Sequence, residues 1–96
     1  MSYYSKSEYS FVKFEKATAQ NKKYKAILKN KNTGRTKTIN FGDKRYQQYK
    51  DTTGLGLYSN LNHNDAKRRA SYRARHSKDV KDGFYSAGWF SMKYLW

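Results

Sequence analysis

The sequence predicts a small α+β protein, an N-terminal antiparallel three-stranded meander followed by two or three short helices. Three observations carry that prediction. Residues 9–42 hold short alternating segments around a glycine-bearing turn, residues 43–96 switch to helical spacing with capping residues, and no long linker, repeat or proline-rich tract divides the two. Residues 1–96 therefore read as one basic domain, with residues 1–8 as an N-terminal arm, 9–42 as the meander and 43–96 as a helical part with an aromatic end.

The strands are expected at 9–17 (YSFVKFEKA), 23–30 (KYKAILKN) and 35–41 (RTKTINF). In the second, Tyr24, Ala26 and Leu28 point one way and Lys25, Ile27 and Lys29 the other. In the third, Lys37, Ile39 and Phe41 oppose Thr36, Thr38 and Asn40. Gly34 supplies the positive φ that a short hairpin bulge demands.

Beyond Gly42, Asp43 as a cap with Tyr46 and Tyr49 at helical spacing predicts a short helix, and the turn-rich TTGLGLYSNLNHN follows as a connector. Asn64 or Asp65 is placed to cap a helix running to about His76. Ala66, Ala70 and Ala74 form its i, i+4, i+8 row, which predicts a thin packing edge. Arg68, Arg69, Tyr72, Arg75 and His76 then make a broad cationic back. In FYSAGWFSMKYLW, Trp89, Met92 and Trp96 share a helical stripe with Phe90 and Tyr94 nearby. So much apolar surface must be covered, in this chain or by another. Trp89, Phe90, Tyr94 and Trp96 are accordingly candidate anchors, and Trp96 with a terminal carboxylate adjacent suits a pocket carrying an arginine, supplied by this fold or a neighbour.

Composition sets the class of partner. Leu, Ile, Val and Phe supply only 14 of 96 residues, whereas aromatic residues make up 18%. A core of rings can replace a missing aliphatic one, since each buries about 150–250 Å². Twenty-one Lys+Arg against seven Asp+Glu give a formal charge of +14, which attracts phosphate, anionic lipid or acidic protein. There is no cysteine for a disulfide or thiolate metal site. The first residues lack the apolar core of a secretion signal, and no stretch reaches the roughly 20 apolar residues of a membrane span, so secretion and membrane insertion are not expected.

Candidate binding residues concentrate in 67–76. Arg68, Arg69, Arg73 and Arg75 suit phosphate contacts, Lys67 a looser one, and Tyr72 and His76 stacking or hydrogen bonding. Such a run on a helix is commonly a solvated face, and the charge of the whole chain is what favours an anionic partner. Lys25, Lys29 and Lys37, with Lys13 and Lys23, could extend this surface across the sheet, or act as edge lysines against aggregation. Nothing here reads bases. No catalytic residue, metal or cofactor is expected: His63 and His76 have no third His or Cys, GLG at 54–56 lacks the rest of a phosphate loop, and the Arg, His and Tyr of a tyrosine-based phosphoryl transfer are explained by composition.

The pattern His63, Asp65, Arg68, Arg69, Tyr72, Arg75, His76, closed by Ser86, Ala87, Gly88, Trp89, Ser91, Leu95 and Trp96, resembles a family of small basic proteins from the nucleocytoplasmic large DNA viruses. The resemblance covers the C-terminal half and is looser over the strands. It implies a viral setting and little of mechanism; within that setting two non-enzymatic roles compete, the aromatic end favouring the first and the charge the second. The first is a minor capsid or cementing protein bound to capsid or other virion proteins, on the inner face of the particle. The second is a sequence-nonspecific DNA- or RNA-binding protein of genome packaging or of viral factories in the host cytoplasm.

Overall fold

Period-two alternation is strongest in the second and third predicted strands, and there it decides what is buried. The computed structural model describes residues 3–96 and is α+β. Strands β1 (Tyr4–Ser5), β2 (Tyr9–Lys16), β3 (Lys22–Asn30) and β4 (Thr36–Asp43) precede helix α1 (Ala66–His76), strand β5 (Phe84–Tyr85) and helix α2 (Ala87–Tyr94). β2, β3 and β4 form an antiparallel sheet in that order, and β1 pairs with β5.

The register puts Phe11 opposite Leu28, Phe14 opposite Ala26, Tyr24 opposite Phe41 and Ala26 opposite Ile39. Directly paired residues share a face, so these side chains line one side of the sheet. A bulge between Phe11 and Lys13 absorbs Val12, which restores the alternation for Phe14. The hairpin between β3 and β4 turns at Gly34, with φ +74° and its amide donating to the Asn30 carbonyl.

α2 lies across the apolar face. Ser86 caps it by accepting from the Trp89 amide, and Phe90 and Leu95 are buried. The Phe90 ring sits 5.4–5.8 Å from those of Phe41, Phe11 and Phe14. The inward positions are thus Phe90 and Leu95, one residue round from the expected Trp89 and Met92 stripe, which is half-buried. Gly88 lets the first turn of α2 approach the chain at Asp79, because a Cβ there would lie 2.9 Å from the Asp79 carbonyl oxygen.

The arm is tied down: Tyr4 pairs with Tyr85, Ser5 with Phe84, and the Lys6 amide donates to the Gly83 carbonyl, while residues 1 and 2 of the arm lie outside the described residues. Two expectations are corrected. The helix after Gly42 is absent. β4 continues to Asp43, whose carboxylate accepts from the Arg45 amide in a local turn. The amides of Gln48, Lys50 and Thr52 then donate to the carbonyls of Leu61, Leu95 and Tyr94. These long-range partners replace the i−4 carbonyls a helix would use.

The second concerns α1. Asp65 caps it, accepting from the Lys67 and Arg68 amides, as expected. Ala66, Ala70 and Ala74, however, are exposed, and Arg69, Tyr72 and His76 are the half-buried positions. An alanine row offers little area to bury. An aromatic ring with guanidinium groups beside it covers more, provided the charges find acceptors.

Candidate functional site: a clasp and a cationic cleft

The inner face of α1 closes on the last residue. The Tyr72 ring stacks on the Trp96 indole at 4.1 Å and 4° from parallel, and the His76 ring lies 4.3 Å from Tyr72 on the same helix. Arg69 Nε donates to the main-chain oxygen of Trp96 at 2.7 Å, and Arg73 donates to the same oxygen through Nε (3.2 Å) and Nη2 (3.1 Å). The Arg69 guanidinium also lies 4.8 Å from the centroid of Tyr49. His63 completes the clasp, its ring 5.1 Å from the indole. Its Nδ1 accepts from the Asp65 amide, which puts the proton of the neutral ring on Nε2. Nε2 is buried and has no partner among the described residues. Burial, and then the charge of Arg68, push the His63 pKa down, which keeps the ring neutral.

Much of the 63–76 pattern is therefore accounted for by holding the C-terminal segment. Asp65 caps, Tyr72 stacks on the indole while His63 packs against it at a tilt of 54°, Arg69 satisfies its main-chain oxygen, and His76 is held by Asp79 at 2.9 Å. Burial raises the Tyr72 pKa, so its hydroxyl stays protonated. Arg69, Tyr72, Arg73 and His76, expected at a partner surface, thus already have partners inside the chain. The aromatic residues divide similarly. Phe90 is fully buried, Tyr94 packs on Phe14 at 4.7 Å, and Trp89 is flanked by Lys6 and Lys93 at 4.2 and 5.1 Å.

What the clasp leaves over faces a cleft of about 610 Å³ between the end of β4, the turn at 45–47 and α1. Arg68 and Arg75 reach it from α1, Arg45, Tyr46 and Gln47 from the turn, and Lys23 from below. Arg68 donates to the neutral Gln47 amide oxygen at 2.8 Å, and Arg75 has no hydrogen bond or ion pair among the described residues. Asp43 is the acid of the cleft, and Arg45 neutralises it through a two-pronged contact at 2.7 and 3.0 Å. Those hydrogen bonds pull the Asp43 carboxyl down to about 2. The cleft therefore carries uncompensated positive charge from Arg68 and Arg75, with the exposed Tyr46 ring (65%) at its edge.

Its floor was not foreseen as buried. Lys23 is 2% exposed, its ammonium donating to the amide oxygen of Gln48, itself fully buried. Gln48 in turn donates to the Tyr58 carbonyl and to Asn62 Oδ1. Desolvation lowers the Lys23 pKa to about 8 against the opposing pull of Asp43 and Asp51. No sequence signal marks it: between Lys22 and Tyr24 it reads as an outward strand lysine, and only the 43–48 segment folding back over it, with Leu95 against Gly42, covers it.

The sheet lysines split. Lys25 pairs with Asn40 and Lys29 with Thr36, on the side away from α2, whereas Lys37 pairs with Leu28 and so belongs to the opposite face. Lys25 is also bound to Glu15 (3.6 Å), which Lys13 shares (3.0 Å). The sheet lysines therefore present a partly neutralised patch on one face and Lys37 on the other, and not one continuous basic surface.

Among the described residues no group of three or more His, Cys, Asp or Glu could hold a metal ion, and no helix is long and apolar enough to cross a membrane. Residues 12–53 match the model of a family of unknown function, DUF5754. The matched stretch spans nearly all of β2 through β4 and the turn that supplies Arg45 and Tyr46, and ends before α1. Neither the curated proteins nor the solved structures contain a match.

Proposed function

We propose that this is a non-enzymatic protein that binds nucleic acid without reading its sequence, in the setting of a large DNA virus. The observation that carries the reading is the pair Arg68 and Arg75. Both are exposed, both line one cleft, and neither is ion-paired among the described residues, the cleft's Asp43 being held by Arg45. With a formal charge of +14 behind them, they form a site where a phosphate replaces water without competition from an internal acid. A groove reader would need donors and acceptors ordered against base edges, and phosphate contacts from two guanidinium groups carry no such order.

Titrating labelled duplex DNA with the protein at rising salt tests this. Affinity should fall steeply, with a log–log slope of about −0.9 per neutralised phosphate, and Arg68→Ala with Arg75→Ala should make it shallower by one to two such steps. Absence of binding to both duplex and single-stranded DNA at low salt removes the reading.

A role as a minor capsid or cementing component is the second reading, and one observation favours it. Leu55 and Leu57 stand 42% and 50% exposed, on a loop bent by Gly54 and Gly56 at φ +88° and +65°. Two adjacent exposed leucines on a shaped loop suit contact with another protein. The aromatic C-terminus, first taken as the anchor, lends this reading less support because the chain covers most of it. Mass spectrometry of purified particles should find the protein at high copy, and its absence there would end this reading.

A further inference from the structure

We propose that the cleft takes a single strand of nucleic acid in preference to a duplex, with a phosphate held between Arg68 and Arg75 and a base laid on the ring of Tyr46; this rests on the nucleic-acid reading above. Three features lead to it. The site is concave, about 610 Å³ in volume, with its cations on the walls and floor. A duplex presents a stiff, convex row of phosphates and can touch only the rim, whereas a flexible strand can send one phosphate inside. Concavity of this size suits a group as small as one nucleotide.

Tyr46 is the second feature. It is 65% exposed, the most exposed large apolar side chain among the described residues, and it lines the same cleft as the two arginines. The Asp43–Arg45 pair fixes the turn on which it stands: the Asp43 carboxylate accepts from the Arg45 amide at 2.9 Å, and the Arg45 guanidinium lies 5.8 Å from the Tyr46 centroid. A ring held out to water by a braced turn contributes little to the core and offers a face to stack on. Bases are free to stack on a protein ring only where they are unpaired.

The third feature is the disposition of charge. Arg69 and Arg73 are committed to the Trp96 oxygen, and His76 to Asp79. Of the α1 arginines, Arg68 and Arg75 are left without an ionic partner among the described residues, and both line the cleft with Tyr46, a set of cations and a ring that matches the phosphate and base of one nucleotide.

The test uses the full chain and three probes at matched ionic strength: labelled oligo(dT), the same length of dA·dT duplex, and heparin. Oligo(dT) has no pairing of its own, and a strand longer than the roughly 4–16 nucleotides such sites cover will saturate the cleft. The proposal expects the strand to bind more tightly than the duplex. Tyr46→Ala should weaken strand binding roughly tenfold, leave duplex and heparin binding unchanged, and be rescued by Tyr46→Phe. Equal affinity for strand and duplex, or indifference of the strand to Tyr46→Ala, overturns the proposal while leaving general nucleic-acid binding in place. Binding of heparin alone, or of none of the three, overturns both.

Discussion

The ring of Tyr72 lies flat on the indole of Trp96, 4.1 Å away and 4° from parallel, and the main-chain oxygen of Trp96 is held by Arg69 at 2.7 Å. A helix whose composition is strongly cationic is thereby turned with part of its charge inward, around one acceptor. The stack contributes packing, and the guanidinium groups satisfy an oxygen that would otherwise be half-buried without a donor.

Trp96→Ala should therefore destabilise the protein by about 3 kcal/mol, at the low end for removal of a large aromatic, because the indole is only half-buried. Arg69→Ala should cost about 1–2 kcal/mol, since Arg73 still reaches the same oxygen. Removing both arginines should cost more than the sum of the single changes. Urea unfolding of the four variants measures all of this, and strict additivity would show that the two guanidinium groups act separately.

Two glycines should resist substitution for different reasons. Gly42 has φ +74° and would place a Cβ 2.9 Å from Leu95 Cδ1, so Gly42→Ala combines backbone strain with overpacking. Gly88 has no such φ, but its Cβ would meet the Asp79 backbone, which moves less readily than a side chain. Gly88→Ala should cost about 1–3 kcal/mol and Gly42→Ala at least as much. At Gly54, with φ +88° and nothing within 4 Å, only the backbone strain remains, so Gly54→Ala should have the smallest effect in thermal melts.

Lys23 gives a pH signature. Its folded pKa, about 8, lies below its ordinary value of 10.5 because burial disfavours the ammonium. Between those values the unfolded chain holds a proton that the folded chain has released, so stability rises as pH climbs from about 8 toward 10. The rise attributable to Lys23 is roughly 2–3 kcal/mol over that window. Above pH 10 the sign reverses. Burial pushes the Tyr24 hydroxyl up to about 12, with its bond to Asp51 adding to the shift, so the unfolded chain ionises first and stability falls. Lys23→Met should flatten the rise between pH 8 and 10 and leave the fall above it. Urea unfolding at several pH values, compared between the two proteins, isolates this from the general loss of positive charge. An identical slope in both would show that Lys23 is not the titrating group.

The strands were legible because the apolar positions of β3 and β4, Ile27 apart, lie on the one covered face of the sheet, so alternation and burial coincide at Tyr24, Ala26, Leu28, Ile39 and Phe41. The cap of α1 was legible because Asp65 acts on amides two and three residues away. The segment after Gly42 was misread for a physical reason. Asp43, Tyr46 and Tyr49 carry helix-like local signals, but the outcome was set by carbonyls at Leu61, Tyr94 and Leu95, which no local pattern encodes. The orientation of α1 was misread because alanines were taken as inward by default, whereas the element it meets is an indole and a carbonyl oxygen. Arg68 and Arg75, placed on the outward side, are exposed, and which arginines had internal partners could not be seen without the position of Trp96.

The central claim is a division of labour within one basic run: Arg69 holds the C-terminal segment, and Arg75, with Arg68, faces a polyanion. Its most direct test measures two quantities, unfolding free energy and affinity for labelled oligo(dT) at low salt, on Arg69→Ala and Arg75→Ala side by side. The account predicts that Arg69→Ala loses about 1–2 kcal/mol of stability with strand affinity nearly intact under conditions where it remains folded. It predicts that Arg75→Ala keeps its stability within about 0.5 kcal/mol and binds the strand several-fold more weakly. If both variants lose affinity equally with stability unchanged, the run acts as one undivided cationic face and the account is wrong.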